Sequence, residues 1–117
     1  MNEKDVAGGA AGSAGAYDVD EQIKALASPY RLKILEYLME PEAHFPKQQD
    51  ADLIEDGVCV SFLTEKVGLS QPTVTSHMQK LAQAGFVRSK KIKNWVYYRP
   101  DRAEIDAFLA ALNGRLS

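Results

Sequence analysis

The stretch Gly68-Leu69-Ser70-Gln71-Pro72-Thr73-Val74-Thr75-Ser76-His77-Met78-Gln79-Lys80-Leu81 decides the reading of this 117-residue chain. Ser70 is placed to cap a helix, its hydroxyl accepting a backbone N–H left without a partner in the first turn. Pro72 falls inside that turn, where a missing donor is harmless. Val74, Met78 and Leu81 then recur at i, i+4 and i+7, the spacing of one buried stripe. At about 100° per residue the opposite face holds Pro72, Ser76, Gln79 and Gln83, flanked by Thr75 and Lys80. That face has no carboxylate and no large apolar group. Its short hydrogen-bonding side chains suit base edges in a DNA groove. Just upstream, a shorter helix capped by Ser61 points Leu63 and Val67 inward, and Gly68 makes the turn. The pattern is a helix-turn-helix.

Downstream, Gly85 closes the second helix. Phe86-Val87-Arg88-Ser89-Lys90 and Trp95-Val96-Tyr97-Tyr98-Arg99 read as strands, rich in aromatic and β-branched residues. Lys91-Ile92-Lys93-Asn94 is the loop between them, with Asn94 the residue best able to accept a positive φ. Val58-Cys59-Val60-Ser61 is a short β-prone run that pairs with this hairpin. The fold class is therefore mainly α with a small antiparallel β-hairpin in a three-stranded sheet: a winged helix-turn-helix.

The rest of the chain supplies its support. Residues 1–17 are rich in Ala, Gly and Ser and predict a disordered tail, leaving one domain over 18–114. Asp18 or Asp20 caps a first helix running to about Ala27, with Ile23 and Leu26 on its apolar side. Ser28 and Pro29 open a second, whose core stripe is Leu32, Leu35, Leu38 and Met39, with Arg31, Lys33 and Glu36 in water. Pro41 stops it. Residues 40–57 then form an acidic insertion, with six acids (Glu40, Glu42, Asp50, Asp52, Glu55, Asp56) against the single base Lys47. Asp101-Arg102-Ala103-Glu104 is a capping box for the last helix. Ile105, Phe108, Leu109 and Leu112 form its apolar stripe, and Gly114 closes it.

Composition narrows the function. One cysteine excludes an intramolecular disulfide, and no apolar run approaches the ~18 residues of a membrane helix. A cytoplasmic protein without a membrane role is expected. The net charge of −2 hides an asymmetry: Lys66 to Pro100 holds seven bases and no acid. DNA phosphates respond to that local field, not to the total. Lys80, Lys90, Lys91 and Lys93 are the expected phosphate contacts, with Asn94 at the wing tip. Gln71, Thr73, Thr75, Ser76 and Gln79 are placed to read base edges or adjacent phosphates. No nucleophile–base pair, phosphate loop or metal cluster is visible, so no enzyme, cofactor or metal is expected. A winged helix used only for protein–protein assembly is the alternative, but it would have no need of an acid-free basic run.

Four ordered blocks also carry a family resemblance: Ala25-Leu26-Ala27-Ser28-Pro29-Tyr30-Arg31-Leu32-Lys33-Ile34-Leu35, Gly68 to His77, Ala84-Gly85-Phe86-Val87-Arg88, and Trp95-Val96-Tyr97-Tyr98. Together they resemble the ArsR/SmtB family of winged-helix repressors, over about Glu21 to Leu112 apart from the insertion. The resemblance implies a homodimer that binds a pseudo-palindromic operator on double-stranded DNA and leaves it on an inducing signal. It points to Gln71, Pro72, Thr75 and Ser76 as base-contacting positions. It also places the dimer two-fold between the terminal helices, at Ile23, Leu26, Ile105, Phe108, Leu109 and Leu112. The family's paired-cysteine metal site falls on Cys59 and Ser61, which cannot supply two thiolates. Its second metal site, on the last helix, would find Asp101, Glu104 and Asp106 but no histidine.

Three features keep alternatives. The insertion is a solvated loop, a site for an unidentified effector or partner, or a hard-cation site built from Asp50, Asp52, Glu55, Asp56 and His44. Cys59 is a small buried hydrophobe or, if exposed and acidic, a redox sensor. His77 is a packed, hydrogen-bonded side chain or, with His44, a metal ligand.

Overall fold

Caps and prolines set the order of elements. The computed structural model describes residues 15–117. It contains α1 (Val19–Leu26), α2 (Pro29–Met39), the single turn α3 (Pro41–His44), β1 (Val58–Cys59), α4 (Val60–Val67), α5 (Gln71–Gln83), β2 (Val87–Ile92), β3 (Trp95–Pro100) and α6 (Arg102–Leu116). The Asp18, Ser28, Ser70 and Asp101 side chains each accept a first-turn backbone N–H. Gly68 takes φ 74° and ψ 24°, a left-handed conformation that turns the chain between α4 and α5. The expected 1–17 tail lies outside the described residues up to residue 14. Gly15 and Tyr17 are docked: the Gly15 N–H donates to Glu104 Oε1 at 2.9 Å, and the Tyr17 ring covers Gly85.

The three strands form an antiparallel sheet in the order β1-β3-β2. Its register pairs Val58 with Tyr98 and Ile92 with Trp95. That last pair leaves only Lys93-Asn94 as the turn, so both strands reach further than the sequence suggests. Lys93 takes the positive φ, 57°, and Asn94 does not. A two-residue hairpin demands a left-handed residue at its first corner, and the strand register decides which residue stands there.

Ile34, Leu38, Leu63, Val74, Met78, Leu81 and Phe86 make the core, sealed by the Phe108 ring edge-on to Phe86 at 5.2 Å. Several expectations need correction. In α2 the inward face is Ile34, Leu35 and Leu38, whereas Leu32, roughly 200° round from Ile34, is 44% exposed. In α1 it is Gln22 and Ala25, not Ile23, because Gln22 Nε2 satisfies the Ala84 carbonyl at the end of α5. Arg31 is not simply in water: its Nε donates to the Ala25 carbonyl at 2.6 Å. Helix α4 starts at Val60 with Cys59 as N-cap, and the Ser61 hydroxyl instead meets Cys59 Sγ at 3.1 Å. The capping box is half made: Asp101 accepts from Glu104 N, but the Glu104 side chain is buried against Gly15. Helix α6 runs through Gly114 to Leu116.

Candidate nucleic-acid interface

Helix α5 is held by its apolar stripe. Val74, Met78 and Leu81 are fully buried, which fixes the direction of every other side chain on the helix. Gln71, Pro72, Thr73, Ser76, Gln79 and Lys80 are exposed and Thr75 is half-buried. The Thr73 hydroxyl shares a 2.9 Å hydrogen bond with Ser70, so it is already engaged in the cap. Among the described residues neither Lys80 nor Lys91 forms an ion pair.

His77 ties α5 to the helix before it. Arg31 Nη1 donates to His77 Nδ1 at 3.1 Å, and the Tyr30 ring stacks on the imidazole at 5.8 Å between centroids. A guanidinium has only donors, so Nδ1 is the unprotonated nitrogen. Burial first, then the positive charges of Arg31 and Lys80, hold this histidine below the ordinary value. His77 is thus a packed, hydrogen-bonded side chain, well served without a metal. Arg31 was not legible as its partner, because 46 positions separate them.

The wing has two chemically different faces. Val87, Ser89, Lys91, Val96 and Tyr98 alternate onto one face, where Val87 and Tyr98 enter the core while Ser89 and Lys91 stay exposed. Arg88, Lys90, Trp95, Tyr97 and Arg99 alternate onto the outer one. The acidic insertion packs on that outer side, and it is not a loose loop. Phe45 is buried; Gln48 donates to the Gly57 carbonyl at 3.0 Å and accepts from Cys59 N at 2.8 Å. Asp52 Oδ1 accepts from Ile54 N and Glu55 N, and Asp56 Oδ2 from Asp52 N, all at 2.8 Å. Asp56 Oδ1 then receives Lys90 Nζ at 2.6 Å, and Asp50 receives Lys93 Nζ at 3.1 Å. The Lys90 hydrogen bond first, then that from Asp52 N, holds the Asp56 carboxyl below the usual range. Two of the lysines expected to contact phosphate therefore already face a carboxylate.

The insertion acids do not gather as cation ligands: among the described residues no group of three or more His, Cys, Asp or Glu is placed to hold a metal ion. Cys59 is buried beside Ser61 and Tyr97, and burial first, then Cys59 and Asp50, push the Tyr97 phenol above its ordinary value. Arg88, at the base of the wing, is bound to Asp101 at 2.8 Å and so joins β2 to the cap of α6. The residues expected at the dimer two-fold divide. Ile105 and Phe108 are core residues of the single chain, and Leu26 and Leu112 are partly buried against it. Ile23 and Leu109 remain 37% and 53% exposed on the terminal helices, which pack together. No helix among the described residues is long and apolar enough to cross a membrane.

Comparison with known proteins agrees with this geometry. A family model described as a helix-turn-helix domain matches residues 26–90. The chain is 36% identical over 85 residues to the uncharacterized HTH-type transcriptional regulator YbzH of Bacillus subtilis (strain 168), a match covering 73% of this chain and 85% of that protein. It is 40% identical over 45 residues to the arsenic resistance transcriptional regulator ArsR1 of Pseudomonas putida, covering 38% of this chain and 35% of the relative. In fold it resembles the solution structure of the homodimeric winged helix-turn-helix DNA-binding domain (fragment 1–100) from Mycobacterium bovis, with a TM-score of 0.58 and 20% identity over 98% of this chain and 87% of that one.

Proposed function

This chain belongs to the ArsR/SmtB family of winged helix-turn-helix transcriptional regulators and is a DNA-binding repressor of that type; from that premise we propose that it acts as a cytoplasmic homodimer on a pseudo-palindromic operator. The observation that carries the reading is the exposed, carboxylate-free face of α5, from Gln71 to Lys80, presented beside the lysine-bearing wing. Gln71, Pro72, Thr75, Ser76 and Gln79 contact base edges, with Thr73 beside the helix N-terminus facing phosphate. Lys80, Lys90, Lys91 and Lys93 contact the backbone, and Asn94 sits at the wing tip. A dimer joined through α1 and α6 sets its two recognition helices about 34–36 Å apart, one turn of DNA. The protein works as a regulator, not as an enzyme, by occupying its promoter.

Release from DNA requires an effector that binds the DNA-incompetent arrangement more tightly. Its site is the cleft between the insertion and the base of the wing. That cleft has a volume of about 750 Å3 and is lined by Met39, Pro41, Leu53, Ile54, Arg99 and Arg102 among others. The size is that of a small-molecule pocket.

A mobility-shift titration against the DNA upstream of its own gene tests the reading. Wild type forms one specific complex. Ser76→Ala or Gln71→Ala relaxes the preference at one base pair by about 1–3 kcal/mol. Lys91→Ala weakens binding to every sequence and lowers the salt slope by about one. Failure to bind any duplex, or a salt slope unmoved by Lys91→Ala, would refute it.

A further inference from the structure

The acidic insertion sits against the wing with two carboxylates on two wing lysines, Asp56 on Lys90 at 2.6 Å and Asp50 on Lys93 at 3.1 Å. The partners lie 34 and 43 positions apart, so this is a tertiary contact and not a helical neighbour effect. The remaining acids of the insertion are not used this way: Asp52 caps a turn, and Glu40, Glu42 and Glu55 are exposed without an ion pair among the described residues. The scaffold behind the pairs is fixed by Gln48, by the Asp52–Asp56 turn and by buried Phe45. Carboxylates on such a frame stay near the lysines without paying afresh for ordering.

We propose that the insertion is a built-in competitor for the DNA backbone: Asp50 and Asp56 occupy Lys93 and Lys90 in the free protein, and operator phosphates displace them when the wing docks. Both lysines are more than half exposed, and ion pairs of that kind are weak and exchangeable. A phosphate presents the same anionic oxygens to the same ammonium groups. The exchange subtracts from the affinity for all duplexes alike, so sequence preference rests more heavily on α5. The insertion thereby sets how tightly this repressor holds DNA. The inference rests on the reading of the wing as a phosphate-binding element.

The test is a salt titration of operator and random-duplex binding by the full chain. Asp50→Asn/Asp56→Asn keeps a side-chain acceptor for Asp52 N while removing both charges. It is expected to bind both duplexes about five-fold or more tighter at low salt, with a salt slope steeper by up to about two. The gain should shrink as the Debye length falls with added salt. Glu42→Gln/Glu55→Gln removes the same charge from the same insertion and should give a much smaller gain. In a Lys90→Ala/Lys93→Ala background the Asp50/Asp56 change should have no effect. Unchanged or weaker binding by the Asn variant, or an equal gain from the Gln variant, overturns the proposal. If Lys90→Ala/Lys93→Ala binds DNA as wild type does, the wing assignment itself is wrong and the competitor falls with it. Should the double Asn variant not fold, Asp50→Asn alone, which touches no backbone cap, is expected to give about half the change in slope.

Discussion

At the scale of the residue, His77 shows how a side chain on the proposed recognition helix is held from behind. Its Nδ1 accepts from Arg31 only while that nitrogen is unprotonated, and the folded-state value is lowered by burial and by neighbouring positive charge. Unfolded, the imidazole titrates at about 6.5, so below that pH the unfolded chain takes up a proton that the folded chain refuses. Stability from this group is therefore present above about pH 6.5 and is lost as pH falls towards the lowered folded value. Urea denaturation at neutral pH and near pH 5.5 measures it. Wild type should lose more stability over that interval than His77→Gln does. Equal losses would mean that Arg31 and Tyr30 do not hold the neutral ring.

At the scale of the element, the insertion depends on how it returns to the sheet. Gly57 takes φ 104°, and a Cβ there would lie 2.4 Å from the Tyr98 carbonyl oxygen on β3. Both the conformation and the approach require glycine. Gly57→Ala is expected to cost at least about 2 kcal/mol, since the left-handed strain alone is of order 1–3. Thermal unfolding checks the loss. Proteolysis should open the chain between Phe45 and Val58 first, because the Gly57 carbonyl is an anchor of Gln48. The wing hairpin teaches a related lesson. Its strands were legible from their β-branched and aromatic residues, but the tight Lys93-Asn94 turn follows from the register with β3, which no local pattern specifies.

For the molecule as a whole, the proposed dimer has to bring two recognition helices to one operator. Leu109 and Ile23 stand exposed on α6 and α1, and Arg115 and Asp20 join the same two helices at 2.8 Å. Exposed apolar side chains of this kind gain nothing from solvent, and in the proposed dimer a second copy would cover them. Leu109→Glu puts a charge where the partner helix would bury it, so it should give a folded monomer by sedimentation velocity. Operator affinity should drop with it, because one recognition helix reads only half the site. A variant that remains dimeric would move the interface off α6. Ile105 and Phe108 are poor probes of the same question, since truncating either would damage the core of the single chain.

The sequence by itself determined what short-range physics controls. Ser28, Ser70 and Asp101 cap helices, Gly68 turns left-handed, and the Val74/Met78/Leu81 stripe orients the reading helix, because caps, φ preferences and helical period act within a few residues. Only the tertiary structure decided which face of α1 and α2 is buried, since that depends on what packs against them. It also decided that Arg31 meets His77, and that Lys90 and Lys93 meet Asp56 and Asp50. Read along the chain, the acidic insertion and the basic wing are separate blocks. Folding lays one on the other, because charges attract through space and β1, at the end of the insertion, pairs with β3 of the wing.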